Sequence, residues 1–97
     1  MSFSFELENQ AKKDFWSTFE YYAKIDQDLA FKFSLDFENS VEQILQFPES
    51  GLLVGKGFHR TLLSSFPNYI IYKKINENLI VCFAVGHTRR KPDYWKE

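Results

Sequence analysis

Cysteine is almost absent from the sequence, and its scarcity excludes several kinds of site. Cys82 is the only cysteine in 97 residues, so an internal disulfide and a multi-cysteine zinc site are both excluded. It lies within the apolar run 79–85, where a small buried hydrophobe is far more common than a nucleophile. A single unpaired cysteine also suits a reducing cytosol.

Long apolar runs are missing as well. The N-terminus lacks the basic start and apolar core of a signal peptide, and no segment reaches the length of a transmembrane helix. We therefore expect a soluble, cytoplasmic protein with no membrane partner. A chain of 97 residues leaves no room for a separate catalytic domain, so residues 1–97 are expected to form one domain.

Neither sign of charge dominates, because the formal net charge is only −1. That value argues against a general nucleic-acid binder. The distribution is uneven: residues 1–55 carry four lysines and ten acidic residues, whereas residues 56–97 carry eight basic and three acidic residues. Such asymmetry indicates a surface that meets an anionic partner. Mutual neutralisation of the two halves across the fold explains it equally well, and both alternatives stay open.

Aromatic residues are abundant, at 19% of the chain with eleven Phe. Alternation in residues 3–7 predicts a short strand. Apolar residues then recur at intervals of three and four over 8–25 and again over 29–45, which predicts two amphipathic helices. Asp26 or Asp28 is expected to cap the second helix, and Phe47-Pro48 to end it. The short connection predicts an antiparallel hairpin, with these acidic side chains on its outer side: Glu20, Asp36, Glu38 and Glu42.

Three strands are predicted in the second half, over 58–64, 68–74 and 79–86. Pro67 must lie at a strand start or edge. The glycine-containing segment 48–57 is interpreted as a plain connector, because its spacing matches no phosphate-binding loop. The order β-α-α-β-β-β predicts an α+β fold, with an antiparallel sheet and an N-terminal helical hairpin packed on one face.

The residues of the second half also carry a recognisable pattern, Arg…Phe-Pro-x-x-Ile…Val-x-x-Ala-Val-x-His-x-x-Arg-x-Pro-x-Tyr-Trp, which begins at Arg60 and ends at Trp95. With Ala11, Asp14-Phe15 and Tyr21-Tyr22 in the first half, the chain resembles the ParE branch of the ParE/RelE toxin superfamily over nearly its whole length. The resemblance implies the same β-α-α-β-β-β order.

The resemblance implies the toxin component of a type II toxin–antitoxin system, neutralised by a cognate antitoxin whose C-terminal segment wraps around it. ParE members inhibit DNA gyrase, whereas RelE members cut mRNA on the ribosome. We expect the ParE-like activity, which needs a complementary surface and no catalytic residue, cofactor or metal. The expected residues of the target or antitoxin surface are Arg60, Arg89, Arg90, Lys91, Tyr94 and Trp95.

Two alternatives stay open. A RelE-like, ribosome-dependent endoribonuclease would need cationic and acid/base groups around one phosphodiester, and its candidates are Arg60, His87, Arg90 and Tyr94. Thr88 stands where RelE nucleases carry a catalytic arginine, and Lys56 is a lone lysine in their basic loop, so an enzyme is less expected. The other alternative is a degenerate, non-toxic family member. All three require a partner strand or helix over an exposed sheet edge and an apolar groove.

Overall fold

The computed structural model describes residues 3–89, which form two helices and five strands. These are β1 (Ser4–Leu7), α1 (Asn9–Ile25), α2 (Gln27–Gln46), β2 (Leu52–Gly55), β3 (Phe58–Leu62), β4 (Asn68–Asn76) and β5 (Leu79–His87). Within 3–89, neither helix has both the length and the apolar character needed to cross a membrane.

The strands form one sheet in the order β1-β5-β4-β3-β2. The predicted α+β fold with its N-terminal helical hairpin is confirmed, and two details of the sheet differ. β1 pairs parallel to β5, with Ser4 opposite Leu79 and Leu7 opposite Cys82, so the sheet is mixed. The chain passes from β1 straight into the helices, and no hairpin turn forces an antiparallel pairing.

The second difference is β2, which lies inside segment 48–57, where the sequence predicts a plain connector. Gly55, Lys56 and Gly57 all have positive φ, at 115°, 53° and 84°. This left-handed run forms a tight turn that glycine tolerates without steric cost. The turn folds Leu52–Gly55 back onto β3, where it pairs antiparallel.

The helical hairpin follows the predicted boundaries closely. The carboxylate of Asp26 caps α2 by accepting the N–H of Asp28 at 2.9 Å. α1 and α2 are thus separated by one residue and pack side by side. Phe15 of α1 contacts Phe37 and Phe33 of α2, with ring centroids 4.9 and 5.5 Å apart. Aromatic rings therefore supply much of the contact between the two helices.

The helices cover one face of the sheet and bury its core. The core residues on that face include Ile70 and Tyr72 of β4 and Ile80 and Cys82 of β5, all with no exposed surface. Burial raises the pKa of Cys82 to about 12. The thiol is therefore protonated at neutral pH and packs as a small hydrophobe, in agreement with the interpretation from the sequence.

Asp36 does not lie on the outer side of the hairpin, where the helical spacing placed it. It is 9% exposed, and its two carboxylate oxygens accept the N–H groups of Ser64 and Ser65 at 3.2 and 2.8 Å. The turn between β3 and β4 has backbone donors that no strand satisfies, and α2 crosses directly above them. A buried carboxylate is stable there because both oxygens are used.

Candidate interaction surface

The face of the sheet opposite the helices, here called the open face, has an aromatic and aliphatic centre. Tyr69, Ile71 and Ala84 are buried there, and partly buried residues pack around them: Val54, Phe58 and Phe83. The rings of Phe58 and Phe83 meet edge to face with centroids 5.2 Å apart. No helix within residues 3–89 packs on this face, and Leu52 and Leu62 at its margin are 59% and 55% exposed.

Two cations lie over aromatic rings of the open face. The guanidinium carbon of Arg60 is 5.7 Å from the ring centroid of Tyr69, and the Lys73 ammonium is 5.1 Å from that of Phe58. Such cation–π contacts hold a charged group in place without neutralising it. Neither cation forms a salt bridge with any residue of the described range. The open face therefore combines an apolar centre with fixed positive charge.

Strand alternation places these side chains on one face. Phe58 and Arg60 are two residues apart on β3, and β4 places Tyr69 and Lys73 on the same side because successive side chains of a strand point to opposite faces. Sequence reasoning missed Phe58, Tyr69 and Lys73 as candidates. The period-two spacing within each strand indicates which of its side chains share a face. The sequence does not give the register between strands, which decides whose side chains lie together.

His87 lies on the opposite side of the sheet from Arg60. The ring of Tyr69 crosses Gly86 on the open face, so closely that a Cβ on Gly86 would come 2.2 Å from it. The next residue, His87, therefore points toward the helices, where it lines a cavity of about 220 Å³ with Tyr21 and Tyr22 of α1. Its Nδ1 accepts the N–H of Arg89 at 3.0 Å.

Of the candidates of the nuclease alternative, the structure describes only Arg60 and His87, and it does not bring these two together. Arg60 and His87 are separated by the thickness of the sheet, and Thr88 continues the chain away from β5 with its N–H bonded to the carbonyl of Pro67 at 2.9 Å. Arg89 is exposed at the end of the described range. The other candidates, Arg90, Lys91, Tyr94 and Trp95, lie outside the described residues.

The ring of His59 packs against a neighbouring aromatic side chain of the sheet. Its ring stacks on Tyr72 with centroids 5.5 Å apart and planes 19° from parallel. The hydroxyl of Tyr72 donates to the carbonyl of Pro48 and accepts the N–H of Gly51, at 2.8 and 3.2 Å. These two hydrogen bonds of Tyr72 tie the segment between α2 and β2 to the sheet. Within residues 3–89, no group of three or more His, Cys, Asp or Glu side chains could hold a metal ion.

Comparison with known proteins gives one family and several similar folds. The family model described as "ParE toxin of type II toxin-antitoxin system, parDE" matches residues 5–92. A chromosomal ParDE toxin–antitoxin structure from P. aeruginosa has a TM-score of 0.75 at 15% identity, and covers 90% of this chain and 97% of that one. No curated protein matches the chain with significance.

Structures of E. coli RelE are also similar. A free RelE mutant with two arginine-to-alanine substitutions has a TM-score of 0.61 at 17% identity, covering 92% of this chain and 86% of that one. The isolated RelE toxin has a TM-score of 0.59 at 18% identity, covering 99% and 94%. The TM-scores show a shared fold, and at these identities the likeness carries no information about activity.

Proposed function

Because the chain belongs to the ParE toxin family of type II toxin–antitoxin systems, we propose that it acts in the cytoplasm by binding and inhibiting DNA gyrase and is neutralised by a cognate antitoxin. One observation carries the choice of binding over catalysis: Arg60 and His87 lie on opposite faces of the sheet. A general acid or base and a cationic transition-state stabiliser must reach the same phosphodiester, and these two side chains do not.

The open face supports a docking role through Arg60, because arginine is among the residues that dominate the energetics of protein–protein contacts. Tyr69 is only 6% exposed, and its part is to hold the guanidinium of Arg60 in place. The positive charge of Arg60 and Lys73 would steer the chain toward an anionic surface, such as that of gyrase bound to DNA.

The residues proposed to contact the target are Arg60 on the open face and the basic and aromatic segment that follows β5. That segment begins at Arg89 and continues through Arg90, Lys91, Tyr94 and Trp95. We propose that Arg60 and Lys73 form the part of the target contact that lies on the sheet. The segment from Arg89 onward is proposed to extend this contact.

A gyrase supercoiling assay with purified protein tests the proposal. We expect the wild-type chain to inhibit supercoiling, and Arg60→Ala and Lys73→Ala each to raise the concentration needed for half inhibition about tenfold. Lys32→Ala is the matched control, because it removes one exposed lysine whose salt bridge with Asp28 joins two side chains more than 60% exposed. That variant should inhibit like the wild type.

A translating extract separates the proposal from its alternatives. Site-specific mRNA cuts that disappear in Arg60→Ala, together with unaffected gyrase, would establish the RelE-like nuclease instead. If expression of the chain alone causes no growth arrest, the non-toxic family member is the correct description. Inhibited supercoiling with intact mRNA supports the gyrase-directed toxin.

A further inference from the structure

β2 is an edge strand, since it is the last strand of the sheet and pairs with β3 alone. Within residues 3–89, no strand lies on its outer side. Sheet edges in natural proteins are commonly protected by lysine, proline or a bulge, because open backbone groups pair readily with another strand. β2 contains neither lysine nor proline. Its bulge lies between Leu53 and Gly55, so Leu52 and Leu53 keep a regular pairing with β3 and present an open edge.

The side chains at this edge are apolar on both faces of the sheet. Leu52 is the register partner of Arg60 and lies on the open face, whereas Leu53 is the partner of His59 and lies on the helix side. Both leucines are more than half exposed, as is Leu62 on the open face of β3. Strands that are apolar on both faces are typical of the interior of a sheet. The composition of β2 is thus that of a strand with a neighbour on each side.

Opposite charges stand at the two ends of β2. Glu49 precedes the strand and Lys56 follows it, and both residues are exposed. Neither forms a salt bridge with a residue of the described range. An antiparallel pairing with a second copy of β2, centred on Leu52 or Leu53, brings Glu49 of each copy near Lys56 of the other. A parallel pairing would bring like charges together, which is unfavourable.

We propose that the β2 edge binds the β2 edge of a second copy of this chain, in an antiparallel pairing about a two-fold axis perpendicular to the sheet. A two-fold contact uses the same patch twice, so the patch must complement itself. β2 meets this condition, because its leucines meet leucines and its flanking charges meet their opposites. An unrelated partner strand would have to supply both features independently. The inference does not rest on the proposed function.

The pairing joins two sheets into one of ten strands, five from each copy. Because the axis is perpendicular to the sheet, the two open faces lie on the same side. Arg60 and Lys73 of both copies then face one direction, so the dimer presents twice the positive charge of one chain on a single surface. The contact is short, four residues and their flanks. We therefore expect a reversible dimer, as is usual for contacts that bury less than about 1,200 Å².

Sedimentation velocity of the purified full chain, from micromolar to millimolar concentration, tests the proposal. We expect a monomer–dimer equilibrium. Leu53→Lys should weaken dimerisation about tenfold or more, because it places two like charges at the centre of the contact. Leu35→Lys is the matched control, since Leu35 is an exposed leucine on α2, and this variant should dimerise like the wild type. A chain that stays monomeric throughout, or equal weakening by the two variants, would overturn the proposal.

Charge reversal tests the antiparallel orientation. Glu49→Lys and Lys56→Glu should each weaken dimerisation about tenfold, because every dimer then holds two like-charged pairs in place of two ion pairs. The variant that carries both reversals restores opposite charges and should dimerise like the wild type. An equimolar mixture of the two single variants should also dimerise, since each copy supplies the charge that the other lacks. Single variants that dimerise normally, or a double variant as weak as the single ones, would contradict the antiparallel pairing.

Amide hydrogen exchange locates the contact on the molecule. Rising protein concentration should slow exchange of the amides in residues 50–55, because an added strand gives the outer backbone groups of β2 a partner. The amides of β1, at the opposite edge of the sheet, should exchange at the same rate at every concentration. Protection that appears at β1 or on the helices and not at residues 50–55 would assign self-association to another surface and refute the inference.

Discussion

The ring of Tyr69 lies across the backbone of Gly86, its register partner on the neighbouring strand. A Cβ at position 86 would come 2.2 Å from the ring carbon Cζ. The guanidinium of Arg60 rests over the same ring, 5.7 Å from its centroid. The missing side chain of one glycine therefore sets the position of the tyrosine, and through it the position of the cation proposed to meet the target.

Replacing Gly86 by alanine should destabilise the fold by about 1–3 kcal/mol, as overpacking does in other well-packed sites. Alanine has a higher strand propensity than glycine, so propensity alone predicts the opposite sign. Urea denaturation measures the free energy of unfolding. In a Tyr69→Leu background the same substitution should cost much less, and an unchanged cost there would show that the ring is not the cause.

Asp36→Ala should cost about 2–3 kcal/mol of unfolding free energy, because it leaves two backbone N–H groups of the β3–β4 turn without an acceptor. Thermal or urea unfolding measures this cost. Glu38→Ala is the control on the same helix, since Glu38 is exposed and its loss should change stability by less than about 0.5 kcal/mol. Similar costs for the two variants would show that the hydrogen bonds of Asp36 add nothing.

Stability should fall as the pH rises above 9, because burial raises the pKa of Cys82 from its ordinary 9.0 to about 12. In that interval the unfolded chain loses the thiol proton while the folded chain keeps it, so deprotonation favours unfolding. The slope from this one group should reach about 1.4 kcal/mol per pH unit. Burial also raises the pKa of Tyr22, which acts in the same direction.

The variant Cys82→Ala distinguishes the contribution of the Cys82 thiol to this pH dependence from that of the Tyr22 hydroxyl. In urea titrations at a series of pH values, the variant should be less stable than the wild type at neutral pH because it loses buried volume. It should also lose less stability between pH 9 and 12. An identical pH dependence in the two proteins would show that the thiol does not contribute.

Much of the fold could be read from local patterns. The spacing of Phe15, Phe19 and Tyr22 predicts α1 because helical periodicity is a property of a single segment. β2 was not predicted because residues 52–54 are too few to show an alternation of apolar and polar side chains. The pairing of β2 also depends on the left-handed turn at Lys56. The parallel pairing of β1 with β5 joins segments more than seventy residues apart in the chain, and no local pattern contains it.

The candidate site could be predicted in its residues but not in its geometry. Arg60 lies within the predicted strand 58–64 and His87 directly follows the predicted strand 79–86, and alternation relates the side of each to its own strand. Which sides coincide depends on the register between strands, and β4 and β5 shift register between Ile71 and Tyr72. Asp36 shows the same limit, because its burial depends on a turn that lies 28 residues further along the chain.

The separation of Arg60 from His87 predicts how their substitutions combine. If Arg60 contacts gyrase from the open face, Arg60→Ala should weaken inhibition about tenfold, whereas His87→Ala, on the helix side, should change it less than about twofold. The double variant should equal the sum of the two free-energy changes within about 0.5 kcal/mol, since residues that share no partner act independently. Residues of one reaction centre behave differently, because removing either costs nearly as much as removing both.

Half-inhibitory concentrations in the supercoiling assay give the three free energies, and circular dichroism confirms that each variant is folded. A double variant no weaker than Arg60→Ala, with His87→Ala equally defective, would place both side chains in one site despite the sheet between them.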